Sequence, residues 1–175
     1  SLTGVVSGDT VSVSSTGTFS SKTVASGKTV TFALTGSDGG NYSITSGGTT
    51  TANITAKTAN ITGTAASNKT YDGATSATLS ANGTITAEDI VSGDTLNIGS
   101  ASGVFANKTV ASGKTVTVSY TLGGADAANY TASGNAVTAS ITAKTANITG
   151  TAASNKTYDG ATSATLSANG TITSG

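Results

Sequence analysis

Residues 54–86 and 141–173 have the same sequence, so a long stretch recurs without a change at an offset of 87 residues. Repeats of about 20–50 residues are typical of solenoids and propellers. A repeat of this length is long enough to enclose a core of its own. The sequence therefore predicts a string of separate small modules, each of about 87 residues.

Shorter repeated segments extend the repeat beyond the identical stretch. Residues 7–10 recur at 92–95, and residues 24–31 recur at 110–117. The offset between matched words drifts, and since loops tolerate insertions better than strands do, we expect the extra residues to fall in loops. The words divide the chain into three predicted modules: residues 1–56 lack the first third of a unit, 57–143 form a complete unit, and 144–175 are the first third of another.

Apolar side chains alternate with polar ones along several segments, which is typical of strands with one face packed inward. No segment carries a sustained apolar period of 3.6 residues, so helices are not expected. The pattern predicts an all-β chain of tandem antiparallel β-sandwich modules of immunoglobulin-like type, with β-grasp-like modules as the alternative. The clearest alternation is at Val30, Phe32 and Leu34 and again at Val116, Val118 and Tyr120.

The pair Asn82-Gly83 is typical of a β-hairpin. A two-residue loop would place Leu79 and Ile85 on opposite faces, whereas a three-residue loop over residues 81–83 pairs them. The sequence therefore predicts a three-residue hairpin loop with Gly83 in the left-handed conformation.

No glycine-, serine- or proline-rich linker separates the modules. Apolar residues change parity near Lys57, which indicates that the last strand of one module leads directly into the first strand of the next. We therefore expect adjacent modules to be stiffly coupled into an extended rod.

Composition excludes several functional classes. The chain has no Cys and no His, which removes thiol chemistry and the commonest acid–base group and metal ligand. Charged residues make up 9% of the chain, too few for a nucleic-acid-binding face. No apolar run reaches the length of a membrane-spanning helix. We therefore predict no enzyme activity and no catalytic, cofactor-binding or metal-binding residues, and we interpret Asp38, Asp72, Asp94 and Asp126 as turn residues.

The most distinctive motif is Lys-Thr-Tyr-Asp-Gly at residues 69–73, which recurs at 156–160. Asp-Gly is a turn signal, so a structural role is expected. Together with the segments at 92–95, 113–117 and 128–130, this motif resembles the YDG repeat. That repeat is found in large secreted bacterial surface proteins of the filamentous-haemagglutinin-like type and is similar to the MBG repeats of other adhesins. The resemblance covers the complete unit and both partial ones.

The resemblance implies a structural repeat region in the stalk or filament of a bacterial extracellular adhesin, at the cell surface or in a secreted fibre. A second hypothesis is a module that binds host or matrix glycans or mucin through Tyr42, Tyr130 and nearby loops. Buried tyrosine rings would favour the stalk, and exposed rings would favour glycan binding. The first unit departs from the family pattern at Gly39-Gly40-Asn41-Tyr42, where a different loop conformation is expected.

The expected partners are neighbouring repeats of the same chain. The two partial modules together amount to about one whole unit, so one molecule could also complete the next, head to tail, by strand addition. Ten Asn-X-Ser/Thr sequons are present, as chance produces in a chain rich in Asn and Thr.

Overall fold

The computed structural model describes residues 3–45 and 47–173. Parts of the predicted modules 1–56 and 144–175 therefore lie outside the described residues. The chain is all-β and β-sandwich-like, with several antiparallel sheets and a curled half-barrel. Its described helical segments are single 3-10 turns at Gly39–Asn41, Ala87–Asp89 and Ala127–Asn129. A β-grasp module needs a helix packed on its sheet, so that alternative does not describe this fold.

Residues 57–142 contain nine strands, and within the described part of the chain these strands pair only with one another. A five-stranded sheet has the order β8-β14-β12-β11-β9, and two further pairs are β7 with β10 and β6 with β13. The strands are β6 (Lys57–Ala59), β7 (Ile61–Ala66), β8 (Lys69–Thr70), β9 (Ser76–Ala77), β10 (Leu79–Ile85), β11 (Asn97–Phe105), β12 (Ala111–Gly123), β13 (Tyr130–Ala132) and β14 (Asn135–Thr142).

The core of this module lies on one face of the five-stranded sheet. Val116 and Val118 are buried while the intervening Thr117 is exposed, so the predicted alternation along β12 is confirmed. Phe105, Ala139 and Ile141 complete the buried cluster. Since only five residues form this buried cluster, most of its hydrophobic stabilisation rests on a few side chains.

Two short parallel pairings join the beginning of the module to its end. β6 runs parallel to β13, with Lys57 opposite Tyr130. β8 runs parallel to β14, with Lys69 opposite Ile141. The other strand pairs in this module are antiparallel. At both places a segment from the first third of the unit pairs with a segment from its last part.

The first partial module repeats the second half of this design with fewer strands. β2-β3-β5 form a three-stranded antiparallel sheet, and β1 pairs with β4. Phe19 lies opposite Val30, as Phe105 lies opposite Val116 in the complete module. The strands are β1 (Ser12–Val13), β2 (Thr18–Phe19), β3 (Ala25–Thr31), β4 (Leu34–Thr35) and β5 (Thr49–Ile54).

The described end of the chain forms one antiparallel pair, β15 (Ile148–Ala153) with β16 (Leu166–Ile172). Its register, with Ile148 opposite Ile172, reproduces that of Ile61 opposite Ile85 in β7 and β10. Every residue of β15 is exposed.

The predicted hairpin at residues 81–83 is wrong. Asn82 and Gly83 lie inside β10, and Leu79 and Ile85 belong to this same strand. Gly83 does have the predicted positive φ, +82°. A Cβ at Gly83 would lie 2.7 Å from Ile61 Cγ2 on the paired strand, so the glycine permits a close approach rather than a reversal.

We expected the residues that change the offset between repeated segments to lie only in loops. This expectation is wrong at one place. Gly36 and Gly124 occupy the same position, each with a positive φ and its missing Cβ against a backbone oxygen. The two additional residues of the complete module therefore fall before this turn, inside the long strand β12. The following loops agree, since both contain an Asp before a 3-10 turn, and the expected difference at Gly39-Gly40-Asn41-Tyr42 is wrong.

Candidate functional site: the joint between modules

The covalent connection between the first two units is short. β5 ends at Ile54 and β6 begins at Lys57, which leaves two residues between the strands. Lys57 pairs opposite Tyr130 and also donates from Nζ to the backbone oxygen of Glu88, 3.2 Å away. The complete module therefore holds the chain from Lys57 onward, directly after the two connecting residues.

A tyrosine and an aspartate organise the loop that faces the joint. The Tyr130 hydroxyl donates to Asp94 Oδ2 at 2.8 Å and accepts from the backbone N–H of Val91 at 2.9 Å. β13 positions the Tyr130 ring, which is buried. One hydroxyl thus holds both ends of the turn at residues 91–94, a group that we call the tyrosine clasp.

The first partial module contains a second tyrosine clasp. There the Tyr42 hydroxyl donates to Asp9 Oδ2 at 2.7 Å and accepts from the backbone N–H of Val6 at 2.9 Å. The clasp is thus a property of the unit, built from the repeated Ser-Gly-Asp-Thr and Asn-Tyr words.

Two contacts cross from the first unit to the second at this clasp. Lys22 Nζ lies 3.1 Å from Asp94 Oδ1, and the Asp94 side chain is almost buried. The backbone N–H of Val24 donates to Asn129 Oδ1 at 3.0 Å. Between the units is a cavity of about 230 Å³, lined by Lys22, Val24, Ile54, Thr55, Lys57, Val91, Asp94, Asn129 and Tyr130.

The electrostatics of the joint favour its charged form near neutral pH. The hydroxyl of Tyr130 and the ammonium of Lys22 lower the pKa of the Asp94 carboxyl. In turn, the hydrogen bond from Lys22 to Asp94 raises the pKa of the lysine. Burial and the neighbouring Asp94 raise the pKa of Tyr130, although the Val91 N–H opposes them. The ion pair is therefore lost when acid protonates Asp94 or when strong alkali deprotonates Lys22.

The Lys-Thr-Tyr-Asp-Gly motif forms a second hydrogen-bonded turn in the complete module. Lys69 Nζ donates to Asp72 at 2.8 Å, to the Ala74 oxygen at 2.9 Å and to the Ser76 oxygen at 3.0 Å. It also lies 5.6 Å from the centre of the Phe105 ring. Lys69 therefore joins the turn to the core.

The loop aspartates bind backbone groups. Asp38 accepts from the N–H of Thr10 and Asp126 from that of Thr95, each at 2.8 Å. Asp72 accepts from the N–H of Ala74 at 2.9 Å. Across residues 3–45 and 47–173, no cluster of three or more acidic side chains could hold a metal ion. These same residues include no helix that is long and apolar enough to cross a membrane.

The family model of the YDG domain matches residues 1–52 and 55–139 of the chain. The chain belongs to the YDG domain family. Neither the curated proteins nor the solved structures provide a match to this chain. The two YDG matches meet at the connection between β5 and β6, so the joint described above is the junction between two YDG domains.

Sequence reasoning did not identify Lys22, Asp94 or Asn129 as partners across the YDG junction. A signal was present, because Lys22 recurs as Lys108 in the repeated Lys-Thr-Val-Ala-Ser-Gly-Lys word and Asp94 corresponds to Asp9. Their proximity could not be derived without the register of the strands.

Proposed function

We propose that this chain is a structural repeat region of a bacterial extracellular adhesin, in which YDG domains form a stalk or filament at the cell surface. The observation that carries the proposal is the joint, where a two-residue connection, an ion pair and a hydrogen bond from the Val24 N–H to the Asn129 side chain hold one unit against the next. Repeated modules in direct contact can transmit load along the chain.

The alternative role in binding host or matrix glycans receives less support. The Tyr130 ring is buried, and the hydroxyls of Tyr42 and Tyr130 are both occupied by the clasps. Sugar-binding sites use exposed aromatic faces, which the buried Tyr130 does not offer, and Tyr42 is half-buried. We propose no catalytic activity for the domain.

The joint is tested by Lys22→Ala, with Lys108→Ala as the matched control. Lys108 occupies the corresponding position in the complete module, and no ion pair involves it within the described residues. Spin labels placed in the first and second units would report the distribution of distances between them. We expect Lys22→Ala to broaden this distribution and Lys108→Ala to leave it unchanged. Equal distributions for both variants would show that the ion pair does not restrain the joint.

The location is tested separately. Protease treatment of intact bacteria that produce the full-length protein should remove the YDG domains if they lie at the surface. Domains that are degraded only after cell lysis would contradict an extracellular stalk.

A further inference from the structure

The first and last segments of the complete module run side by side in the same direction. We call residues 57–71 the entry segment and residues 130–142 the exit segment. Where both segments begin, β6 pairs in parallel with β13, and Lys57 lies opposite Tyr130. Where both segments end, β8 pairs in parallel with β14. The chain therefore enters the module at one end of this pair of segments and leaves it at the other end.

Further hydrogen bonds connect the entry and exit segments between these two short parallel ladders. The side-chain nitrogen of Asn135 donates to the backbone oxygen of Ile61 at 3.3 Å. The backbone N–H of Ser140 donates to Asn68 Oδ1 at 2.7 Å. The bonded residues are 74 and 72 positions apart in sequence, and the partners in both ladders fall within this range. The two segments thus keep nearly one register along the whole module.

Tension along the chain pulls on the two segments in opposite directions. A pull from the first unit acts on Lys57, at the beginning of the entry segment, and a pull from the residues that follow acts on Thr142, at the end of the exit segment. In a parallel pair, these pulls slide one segment along the other. Because hydrogen bonds between strands lie across the strand direction, sliding loads all of them together. Pulls applied at the same end of both segments would instead open the bonds one after another.

We propose that the paired entry and exit segments form a shear clamp, which resists unfolding of the YDG domain under tension. The inference rests on the stalk proposed above, because a stalk is a chain that carries load. The clamp also involves the core, since Ile141 of the exit segment is buried and Tyr71 of the entry segment packs against the same cluster. Sliding the segments therefore separates apolar contacts as well as hydrogen bonds, and it slows forced unfolding, which is governed by the unfolding rate.

Single-molecule force spectroscopy tests the clamp, because the chain has no cysteine of its own and attachment points can be chosen by substitution. Thr55→Cys with Ala143→Cys loads the two segments in shear. Thr55→Cys with Ala128→Cys is the matched control, since both attachment points then precede their segments. All three side chains are exposed. At a fixed force we expect the first unfolding step to be at least about tenfold slower in the shear geometry, because at least two hydrogen bonds must break together. Equal rates in both geometries would overturn the proposal.

A single side chain provides the second measurement. Asn68→Ala removes the acceptor of the Ser140 N–H and with it one bond between the segments. Asn107→Ala is the matched control, because Asn107 is also exposed and accepts from a backbone N–H, that of Thr109, within its own turn. Pulled in shear, the Asn68→Ala chain should unfold about fivefold faster than the Asn107→Ala chain. The same rate for both variants would show that the bond between the segments carries no load.

The clamp and the stalk are contradicted by different results. Equal unfolding rates of the purified protein in the two pulling geometries contradict the clamp, and they leave the surface location of the domains intact. Degradation of the YDG domains only after cell lysis contradicts the stalk, whereas slower unfolding in the shear geometry would still support the clamp as a property of the domain.

Discussion

Residues 57–86 and 144–173 have identical sequences and different surroundings. In the first copy Ile61 is 5% exposed, and in the second copy the corresponding Ile148 is 58% exposed. The first copy lies against β11, β12 and β14, while the second is described as a single strand pair. The comparison separates what these residues do alone from what they do when the rest of a module covers them.

Local features are the same in both copies. Each has a long strand pair in the same register, with a glycine of positive φ in its second strand. Lys69 and Lys156 each bond an aspartate three residues later at 2.8 Å. Hydrogen bonds between near neighbours are sufficient for these features, so they do not depend on the core.

Features that need a distant partner occur only in the first copy. The strands β8 and β9 are present there, but residues 156–157 and 163–164 form no strand. The Tyr71 ring packs on the core, whereas the Tyr158 ring is exposed to solvent. A two-stranded sheet without a packed face is only marginally stable in water. We therefore expect the second copy to be less stable than the first, although their sequences are identical.

The largest difference between the two copies is expected in the loss of stability caused by Ile61→Ala and by Ile148→Ala. The first substitution leaves a cavity beside the core and should lower the free energy of unfolding of the complete module by about 2–4 kcal/mol. The second removes an exposed side chain and should change stability by less than about 0.5 kcal/mol. Urea denaturation of dilute protein, followed by amide hydrogen exchange in each module, measures both. Equal costs would show that the second copy is packed as tightly as the first.

A smaller difference is expected from Gly83→Ala and Gly170→Ala. Both glycines have a positive φ, so alanine is strained in both copies by about 1–2 kcal/mol. At Gly83 the new methyl also meets the buried Ile61, while at Gly170 its side-chain neighbour is the exposed Ile148. Amide exchange should therefore accelerate more in β10 than in β16, relative to the unmodified chain. The same acceleration in both strands would assign the whole effect to backbone strain.

The smallest difference between the two copies is expected in the pKa values of Asp72 and Asp159. The hydrogen bonds from Lys69 and Lys156, followed by those from the N–H groups of the following turn, lower the pKa of each carboxyl. Because the pKa is lowered on folding, the stabilisation is present above the ordinary aspartate pKa and is lost as the pH falls through the folded value. NMR titration of the carboxyl carbons should find both values below the ordinary one.

Lys156→Met is the control for this titration, and it should return the pKa of Asp159 towards its ordinary value. If Asp159 in the unmodified chain already titrates at the ordinary value, then the turn in the second copy needs the docked core, and the local interpretation is wrong.

The sequence alone was sufficient to predict the all-β fold class and the repeat length of about 87 residues. Alternation at Val116 and Val118 predicted the inward face of β12, and the parity change near Lys57 predicted the short junction. The Asp-Gly turn at residues 72–73 was also predictable, because the groups that stabilise it are near neighbours. These features can be predicted from patterns within a few neighbouring residues, before any long-range pairing is known.

Only the tertiary structure decided the role of Asn82-Gly83, the parallel pairings of β6 and β8, and the contact of Lys22 with Asp94. The Asn-Gly pair permits a hairpin, but its surroundings hold it inside a strand opposite β7. The parallel pairings join the beginning of the module to its end, and the lysine meets a residue 72 positions away. Such pairings depend on where distant strands come together. The segments 57–86 and 144–173 therefore have different structures although their sequences are identical.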